Sequence, residues 1–202
     1  MNQENYNNFY AENVDELRTE VVRLLPIFEE ILKEKGPIYL VEYAYNYVDD
    51  ILKQVKLSEK TSCGSGCSFC CHSIIYTSQL EHDYIKMQTK KYSIKGDKKR
   101  SKLQNSKTEA QLKWVEKACK YLSSTDGKGF CKIYEIRPLI CRTHNSTDKM
   151  ELCDKDKFNG IPNQEARLIQ TEAVLITLAL LDENYDENKK PLRLIPIHKI
   201  MP

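Results

Sequence analysis

Residues 63–71 read Cys63-Gly64-Ser65-Gly66-Cys67-Ser68-Phe69-Cys70-Cys71, which places four cysteines within nine residues. Thiolate is a soft ligand that suits zinc, copper(I) and iron–sulfur centres. The two glycines let the backbone fold tightly around a cation. They also leave amide N–H groups accessible, and such groups can hydrogen-bond to metal-bound sulfur. The segment therefore predicts a metal centre built on a loop.

Four further cysteines follow at wide intervals, namely Cys119, Cys131, Cys141 and Cys153. The side chains of adjacent Cys70 and Cys71 tend to diverge, so a single metal rarely uses both. Either two centres share the loop, or one of this pair belongs to a different site. Eight thiols would suffice for two four-coordinate sites. His72 and His144 lie beside or near cysteines and could each replace a thiolate.

The composition favours reduced thiols over disulfides. The chain has 202 residues and a formal net charge of +2, so global charge says little about its partners. The N-terminal residues lack a basic segment followed by an apolar run, and no stretch approaches about 18 apolar residues. We therefore expect a cytoplasmic protein without a membrane span. In that compartment thiols stay reduced, and eight cysteines indicate metal binding.

Apolar residues at spacings of three and four predict helices on both sides of the cysteine loop. Pro26 falls inside the first helix and should kink it, and Ser78 with Glu81 matches a capping box. Residues 1–12 are polar and predict a loose tail, whereas 58–76 and 123–160 predict irregular loops. The helices are expected at about 14–35, 37–56, 78–92, 106–122 and 164–181.

These elements predict a mainly α protein, a helical bundle with irregular cysteine-rich loops stapled by metal. Residues 1–57 would form an N-terminal helical pair and 58–160 the metal-binding core. Residues 161–202 would add a C-terminal helix and a tail, with 192–197 as a strap across the surface. We expect the three parts to form one compact domain.

A strongly basic segment lies between Lys86 and Lys107, with nine basic residues against one acidic residue, Asp97. Such a charge run is typical of a contact with nucleic acid or another acidic partner. It is also typical of a solvated connection between helices. Tyr92 is the only aromatic residue in the segment, so the aromatic interleaving of single-strand-binding surfaces is absent. The sequence also lacks a Walker loop, a dinucleotide-binding turn and a His-Glu-x-x-His motif.

Several separated blocks together resemble the YkgJ-like cysteine cluster family, described as zinc- or iron-chelating domains. The first blocks are the Cys-x3-Cys-x2-Cys-Cys pattern of 63–71, the helix start at Thr77–Glu81, and Cys119 with Leu122. The last block reads Cys131-Lys132-Ile133-Tyr134-Glu135-Ile136-Arg137-Pro138-Leu139-Ile140-Cys141-Arg142. The resemblance covers about residues 60–155, and Cys153 is its least securely matched cysteine.

The resemblance implies a metal-binding function with all eight cysteines as candidate ligands. Arg137 and Arg142 flank the later cysteines, where a guanidinium would offset the negative charge of metal-bound thiolates. Tyr134 could donate to a cysteine sulfur or simply pack. The candidate metal ligands are Cys63, Cys67, Cys70, Cys71, Cys119, Cys131, Cys141 and Cys153.

Three functions follow from this pattern. The first is a zinc, iron or iron–sulfur protein with a structural, metal-handling or redox role. The second is a group-transfer enzyme, because flagellin lysine N-methylases contain a similar cluster. The spacing of Cys63, Cys67 and Cys70 also resembles the [4Fe–4S] motif of radical S-adenosylmethionine enzymes, although their βα barrel is not expected here. The third is a nucleic-acid or protein adaptor that uses the basic segment 86–107.

Overall fold

The computed structural model describes residues 3–61, 63, 66–125, 129–147, 153, 167–185 and 195–196. The described chain is predominantly helical, which confirms the predicted mainly α class. A pair of two-residue strands, β1 (Tyr76–Thr77) and β2 (Ile195–Pro196), forms an antiparallel ladder. The α-helices are α1 (Gln3–Glu12), α2 (Val14–Lys35), α3 (Pro37–Gln54), α4 (Leu57–Lys60), α5 (Gln79–Lys91), α6 (Lys98–Ser106), α7 (Leu139–Thr143) and α8 (Ile169–Tyr185).

The described residues divide into two compact units. The first unit contains residues 3–61, 139–147 and 167–185. The second contains 63, 66–125, 129–138, 153 and 195–196. The boundary near residue 62 lies close to the predicted start of the cysteine-rich region at 58. Residues 139–147, which the sequence assigned to that region, belong to the first unit.

The first unit is a helical bundle in which α2, α3 and α8 pack on one another and α7 packs on α3 and α8. Its apolar residues recur every three or four positions, so each helix has a buried face. Leu24 and Phe28 of α2, Leu40 and Val48 of α3, and Val174 of α8 are all buried. Pro26 lies within α2, which runs from Val14 to Lys35 on both sides of it.

The second unit is less regular and contains all but one of the cysteines. Helix α5 begins where the sequence predicted, because Ser78 accepts a hydrogen bond from the backbone N–H of Glu81. Leu80, Tyr84 and Ile85 place its apolar face in the core. At α6, the Asp97 side chain accepts from the backbone N–H groups of residues 99 and 100.

Helix α8 runs from Ile169 to Tyr185, and its predicted start near 164 lies outside the described residues. Two expectations about local structure are wrong. Residues 3–12 form α1 rather than a loose tail. The predicted helix over 106–122 is replaced by two short 3₁₀ turns, Glu109–Gln111 and Trp114–Lys117. Of the predicted strap 192–197, the described residues are 195 and 196, which form β2; the rest lies outside the described residues.

Candidate metal centre

The cysteine loop changes direction sharply at Gly66, where φ is +87°. An L side chain is strained at that angle, so glycine is the residue that allows the turn. The loop then enters a 3₁₀ turn over Phe69–His72, in which the Cys71 N–H donates to the Ser68 carbonyl oxygen at 3.0 Å. This turn places Cys70 and Cys71 side by side beyond Cys67.

The segment that bears Cys119 is attached to this loop through the backbone. The Cys119 N–H donates to the Cys71 carbonyl oxygen at 2.7 Å. Arg100 of α6 donates from one guanidinium nitrogen to the carbonyl oxygens of Cys119 and Leu122, both at 2.9 Å. Gln104 donates to the carbonyl of Ala118, also at 2.9 Å. Helix α6 therefore fixes Cys119 beside the cysteine loop.

Cys131 follows a reversal of the chain that returns it to the same region. It forms an isolated antiparallel bridge with Leu122, and Lys132 N–H donates to the Tyr121 carbonyl oxygen at 2.9 Å. The reversal is tight at Gly129, where an added Cβ would lie 2.4 Å from the Ser124 carbonyl oxygen. A larger residue would push the two arms apart and shift Cys131.

Cys67 lies among thiols from two separated segments. Burial raises the pKa of the Cys67 thiol to about 11, against a hydrogen bond from the Phe69 backbone. Negative charge at Cys70, Cys63 and Cys153 raises that pKa further. Cys153 is more than 80 residues away in sequence, and its electrostatic coupling to Cys67 places it beside the loop.

A second group of thiols surrounds Cys70, the one exposed residue among the eight cysteines. A hydrogen bond from the Cys71 thiol lowers the pKa of Cys70, although burial of the sulfur opposes this effect. The Arg137 guanidinium also lowers the pKa of Cys70. Burial raises the pKa of Cys131, and negative charge at Cys70 raises it as well, whereas Arg137 lowers it. Cys70, Cys131 and Arg137 are therefore electrostatic neighbours.

Cys119 connects this group to a buried cation. Burial raises the pKa of Cys119 to about 11, with negative charge at Cys131 acting in the same direction. Positive charge at Lys120 and Arg100 opposes that rise. Lys120 is only 3% exposed, and burial lowers its pKa. Its stem packs against Gly96, where an added Cβ would meet the Lys120 side chain at 3.0 Å.

The seven cysteines of the second unit thus form two overlapping groups. Cys63, Cys70 and Cys153 influence the pKa of Cys67. In the other group, hydrogen bonds link Cys71 to Cys70 and Cys119, and negative charge couples Cys131 to Cys70 and Cys119. All eight cysteines fall in the described part of the chain, and none forms a disulfide. No three cysteine, histidine or carboxylate side chains of the described residues surround one point closely enough to hold a metal ion as they stand.

The donor set nevertheless fits zinc or iron. It consists of soft thiols gathered from three segments, with cations at Arg137, Lys120 and Arg100 to offset thiolate charge. The buried Ser68 hydroxyl within the loop has no hydrogen-bond partner among the described atoms. The backbone hydrogen bond from Cys119 to Cys71 brings two of these segments together.

Other residues singled out from the sequence lie elsewhere or act differently. Cys141 belongs to α7 of the first unit. In that unit Arg142 pairs with Asp49 and lies over the Tyr45 ring at 4.3 Å, so the charge expected to face thiolates has a carboxylate partner. Tyr134 is 55% exposed.

Ring contacts also involve residues near the cysteines. The Arg137 guanidinium lies over the Tyr134 ring, 3.6 Å from its centroid, so Tyr134 packs against the arginine. His72 is buried, and its ring stacks on Trp114 with centroids 3.8 Å apart. The N–H of His144 donates to the Ile140 carbonyl within the first unit. Tyr134 thus packs against Arg137, the cation that lowers the pKa of Cys70 and Cys131.

A family model named CxxCxxCC, described as "Putative zinc- or iron-chelating domain", matches residues 62–165, about half of the chain. The chain belongs to this family. The CxxCxxCC match contains all eight cysteines and confirms the resemblance drawn from the separated sequence blocks. Metal chelation by zinc or iron is therefore the function associated with the region that gathers the thiols. No curated protein and no solved structure matches the chain.

The sequence of this CxxCxxCC protein did not reveal the roles of two further residues near the cysteines, Arg100 and Lys120. Arg100 was counted within the basic segment, although it holds the Cys119 backbone. Lys120 lies next to a cysteine, yet its burial depends on contacts across the second unit. The Asp97 N-cap was the available signal for α6 and therefore for the placement of Arg100. Among the described helices, none is long and apolar enough to cross a lipid bilayer.

Proposed function

We propose that this protein binds zinc or iron through cysteine thiolates and that the metal holds the second unit together. Two observations support the proposal: the Cys119 N–H donates to the Cys71 carbonyl oxygen at 2.7 Å, and thiols of separated segments influence one another's pKa. Burial makes the charged thiolate form unfavourable and so raises the pKa of the thiol. A metal cation that replaces the proton would stabilise the thiolate.

The ligands would come from the two overlapping groups. One metal position would be bound by Cys63, Cys67 and Cys153. The other would be bound by Cys119, Cys131 and one member of the Cys70–Cys71 pair. This division follows the coupling between thiols. The Cys70 and Cys71 side chains were expected to diverge, but their thiols are hydrogen-bonded to each other. Cys141 stays a candidate ligand from the sequence pattern. Arg137 would reduce the net negative charge of the loaded site.

Iron is the metal that the loop spacing favours, in the form of an iron–sulfur cluster. Cys63, Cys67 and Cys70 have the Cys-x3-Cys-x2-Cys spacing, and the Phe69 backbone hydrogen-bonds to the Cys67 sulfur. Zinc would use the same thiolates without redox change. When bound, either metal would cross-link distant segments, and an iron–sulfur cluster would also supply electron transfer.

The test is anaerobic purification of the full chain followed by elemental analysis, acid-labile sulfide determination and a visible spectrum. Iron with equivalent sulfide and a visible charge-transfer band supports the cluster. Zinc without visible absorption supports the closed thiolate site. Less than 0.1 equivalent of either metal, both after anaerobic purification and after reconstitution, would contradict the proposal.

The basic segment is partly engaged within the second unit. Arg100 pairs with Asp97 at 3.1 Å and binds two backbone carbonyls, and Lys107 pairs with Glu116 at 2.9 Å. Nucleic-acid binding and group transfer stay predictions from the sequence. A steep loss of nucleic-acid binding with salt would support the former, and a change of the visible spectrum on addition of S-adenosylmethionine would support the latter.

A further inference from the structure

Ser68 occupies an unusual position inside the cysteine loop. It is fully buried, and its Oγ has no hydrogen-bond partner among the described atoms. Buried hydroxyls are nearly always hydrogen-bonded, because removing a polar group from water without a new partner is unfavourable. The exposed Thr19 and Ser106 hydroxyls, by comparison, both donate to backbone carbonyls. The Ser68 hydroxyl therefore calls for a partner that this loop acquires.

The ordinary local role of this serine is not filled. Ser68 precedes the 3₁₀ turn Phe69–His72 at the N-cap position, where a serine side chain commonly accepts a backbone N–H. Here the Cys71 N–H donates to the Ser68 carbonyl oxygen, and the side chain makes no cap hydrogen bond. The hydroxyl is thus left available for a different acceptor.

The position of Ser68 limits what that acceptor can be. Ser68 follows Cys67 directly and precedes Cys70 by two residues, so it lies between two candidate ligands. Cys67 is itself within electrostatic reach of Cys63, Cys70 and Cys153. The acceptors that a metal would bring to this buried region are sulfur anions, either thiolates drawn onto the metal or inorganic sulfide of a cluster.

We propose that the Ser68 hydroxyl donates a hydrogen bond to a metal-bound sulfur and thereby positions and tunes the centre without ligating it. This inference rests on the proposed metal-binding function. The hydrogen bond would exist in the loaded protein alone, so Ser68 would stabilise the loaded state and leave an unsatisfied hydroxyl in the metal-free state. Removal of the hydroxyl should therefore destabilise the metal-loaded protein but leave the stability of the metal-free protein unchanged or higher.

The experiment compares Ser68→Ala, Ser68→Thr and the matched control Ser78→Ala. Ser78 is also a buried serine of the second unit, but its Oγ accepts from the Glu81 N–H and caps α5. Zinc affinity is measured by competition with a chelator, and thermal unfolding is recorded for the metal-free and zinc-loaded proteins. The cobalt(II)-substituted proteins report thiolate-to-metal charge transfer.

Ser68→Ala is expected to weaken zinc binding about tenfold and to shift the charge-transfer band, while leaving the metal-free Tm unchanged or higher. Ser68→Thr keeps the hydroxyl and should restore most of the affinity. Ser78→Ala should lower Tm in both states, with zinc affinity within about twofold of wild type. For an iron-loaded protein, acid-labile sulfide content tells whether inorganic sulfide is present as an alternative acceptor to the cysteine thiolates.

Zinc affinity within about twofold of wild type for Ser68→Ala, or an equal fall of Tm in both states, would overturn the role of Ser68 while leaving metal binding intact. Loss of zinc from Ser68→Ala that Ser68→Thr fails to restore would also overturn it. A wild-type protein that binds neither zinc nor iron would instead overturn the proposed function, and the inference with it.

Discussion

The backbone N–H of Cys119 donates a 2.7 Å hydrogen bond to the carbonyl oxygen of Cys71. This bond joins two cysteine-bearing segments that are separated by nearly 50 residues. It places two candidate ligands in neighbouring segments of the second unit. A metal bound by their thiolates is expected to add a second cross-link between these segments.

Metal removal should loosen the second unit selectively. The described residues between Cys119 and Arg137 form no long helix, and this segment would lose its metal cross-links on chelation. We expect limited trypsin digestion to accelerate after Lys120 and Lys132 in the presence of chelator. Cleavage within α2 and α3 should stay slow, because their apolar faces are buried in a helical bundle. Identical digestion patterns with and without chelator would contradict this expectation.

Substitution of the loop cysteines should release metal. Cys67→Ser and Cys70→Ser each remove a soft donor. We expect each variant to lose at least about half an equivalent of bound metal per chain. The loaded protein should also unfold at a lower temperature. Lys102→Ala is the matched control, since Lys102 is exposed on α6 of the same unit. Unchanged metal content in both cysteine variants would remove these residues from the ligand set.

Thiol reactivity in the metal-free protein should follow the pKa order of the cysteines. The Cys71 thiol lowers the pKa of Cys70 through a hydrogen bond, whereas burial raises the pKa of Cys67 and Cys119 to about 11. Because thiolate is the reactive form, Cys70 should react first with iodoacetamide at pH 7. Raising the pH to 9 should increase the rates at Cys67 and Cys119 by a larger factor.

Mass spectrometry of digested samples taken at successive times checks this order. Cys70 is also more exposed to solvent than the other cysteines. A comparison at two pH values therefore separates the effect of thiol ionisation from the effect of reagent access. Equal pH dependence at Cys70 and Cys119 would contradict the pKa order. Protection of all these cysteines after metal addition would further support their role as ligands.

Arg100 should contribute to folding rather than to partner binding. Its guanidinium holds two backbone carbonyls and pairs with Asp97. Arg100→Ala should lower the free energy of unfolding by about 2 kcal/mol, in the range of hydrogen bonds that involve a charged group. Lys102→Ala on the same helix should change it by less than about 0.5 kcal/mol. Denaturant titration measures both variants, and equal effects would contradict the assignment.

Arg137 should lower the pH at which the protein loads metal. Its positive charge lowers the pKa of Cys70 and Cys131, so loss of that charge lets protons compete more strongly with the metal. In Arg137→Gln, the midpoint of a pH titration of zinc loading should therefore move upward. Lys102→Gln serves as the control and should leave the midpoint unchanged. A downward shift in Arg137→Gln would contradict the electrostatic role.

The sequence predicted the long helices well because each of them carries its own signal. Helices α2 and α3 have apolar residues at spacings of three and four, and α5 has the Ser78 cap. The helix predicted over 106–122 failed for a tertiary reason. Carbonyls of Glu116, Ala118 and Cys119 accept from side chains of α6, which periodicity alone cannot reveal.

The sequence names the candidate ligands, whose role stays a prediction, but it does not reveal how they are grouped. The cysteine spacing indicated a metal site and identified the candidate thiol ligands, because several soft donors in a short loop are typical of metal binding. Spacing could not show that Cys153 lies near Cys67, or that Arg142 pairs with Asp49. These relationships depend on how distant segments fold against one another.

The most direct test of the central claim is X-ray absorption spectroscopy at the metal edge of the loaded full-length protein. Thiolate ligation predicts a first shell dominated by sulfur at about 2.3 Å from zinc, or a comparable sulfur shell around iron. For an iron–sulfur cluster, a second shell from the neighbouring iron should follow. A first shell of oxygen or nitrogen at about 2.0–2.1 Å, without sulfur, would contradict the cysteine-bound centre.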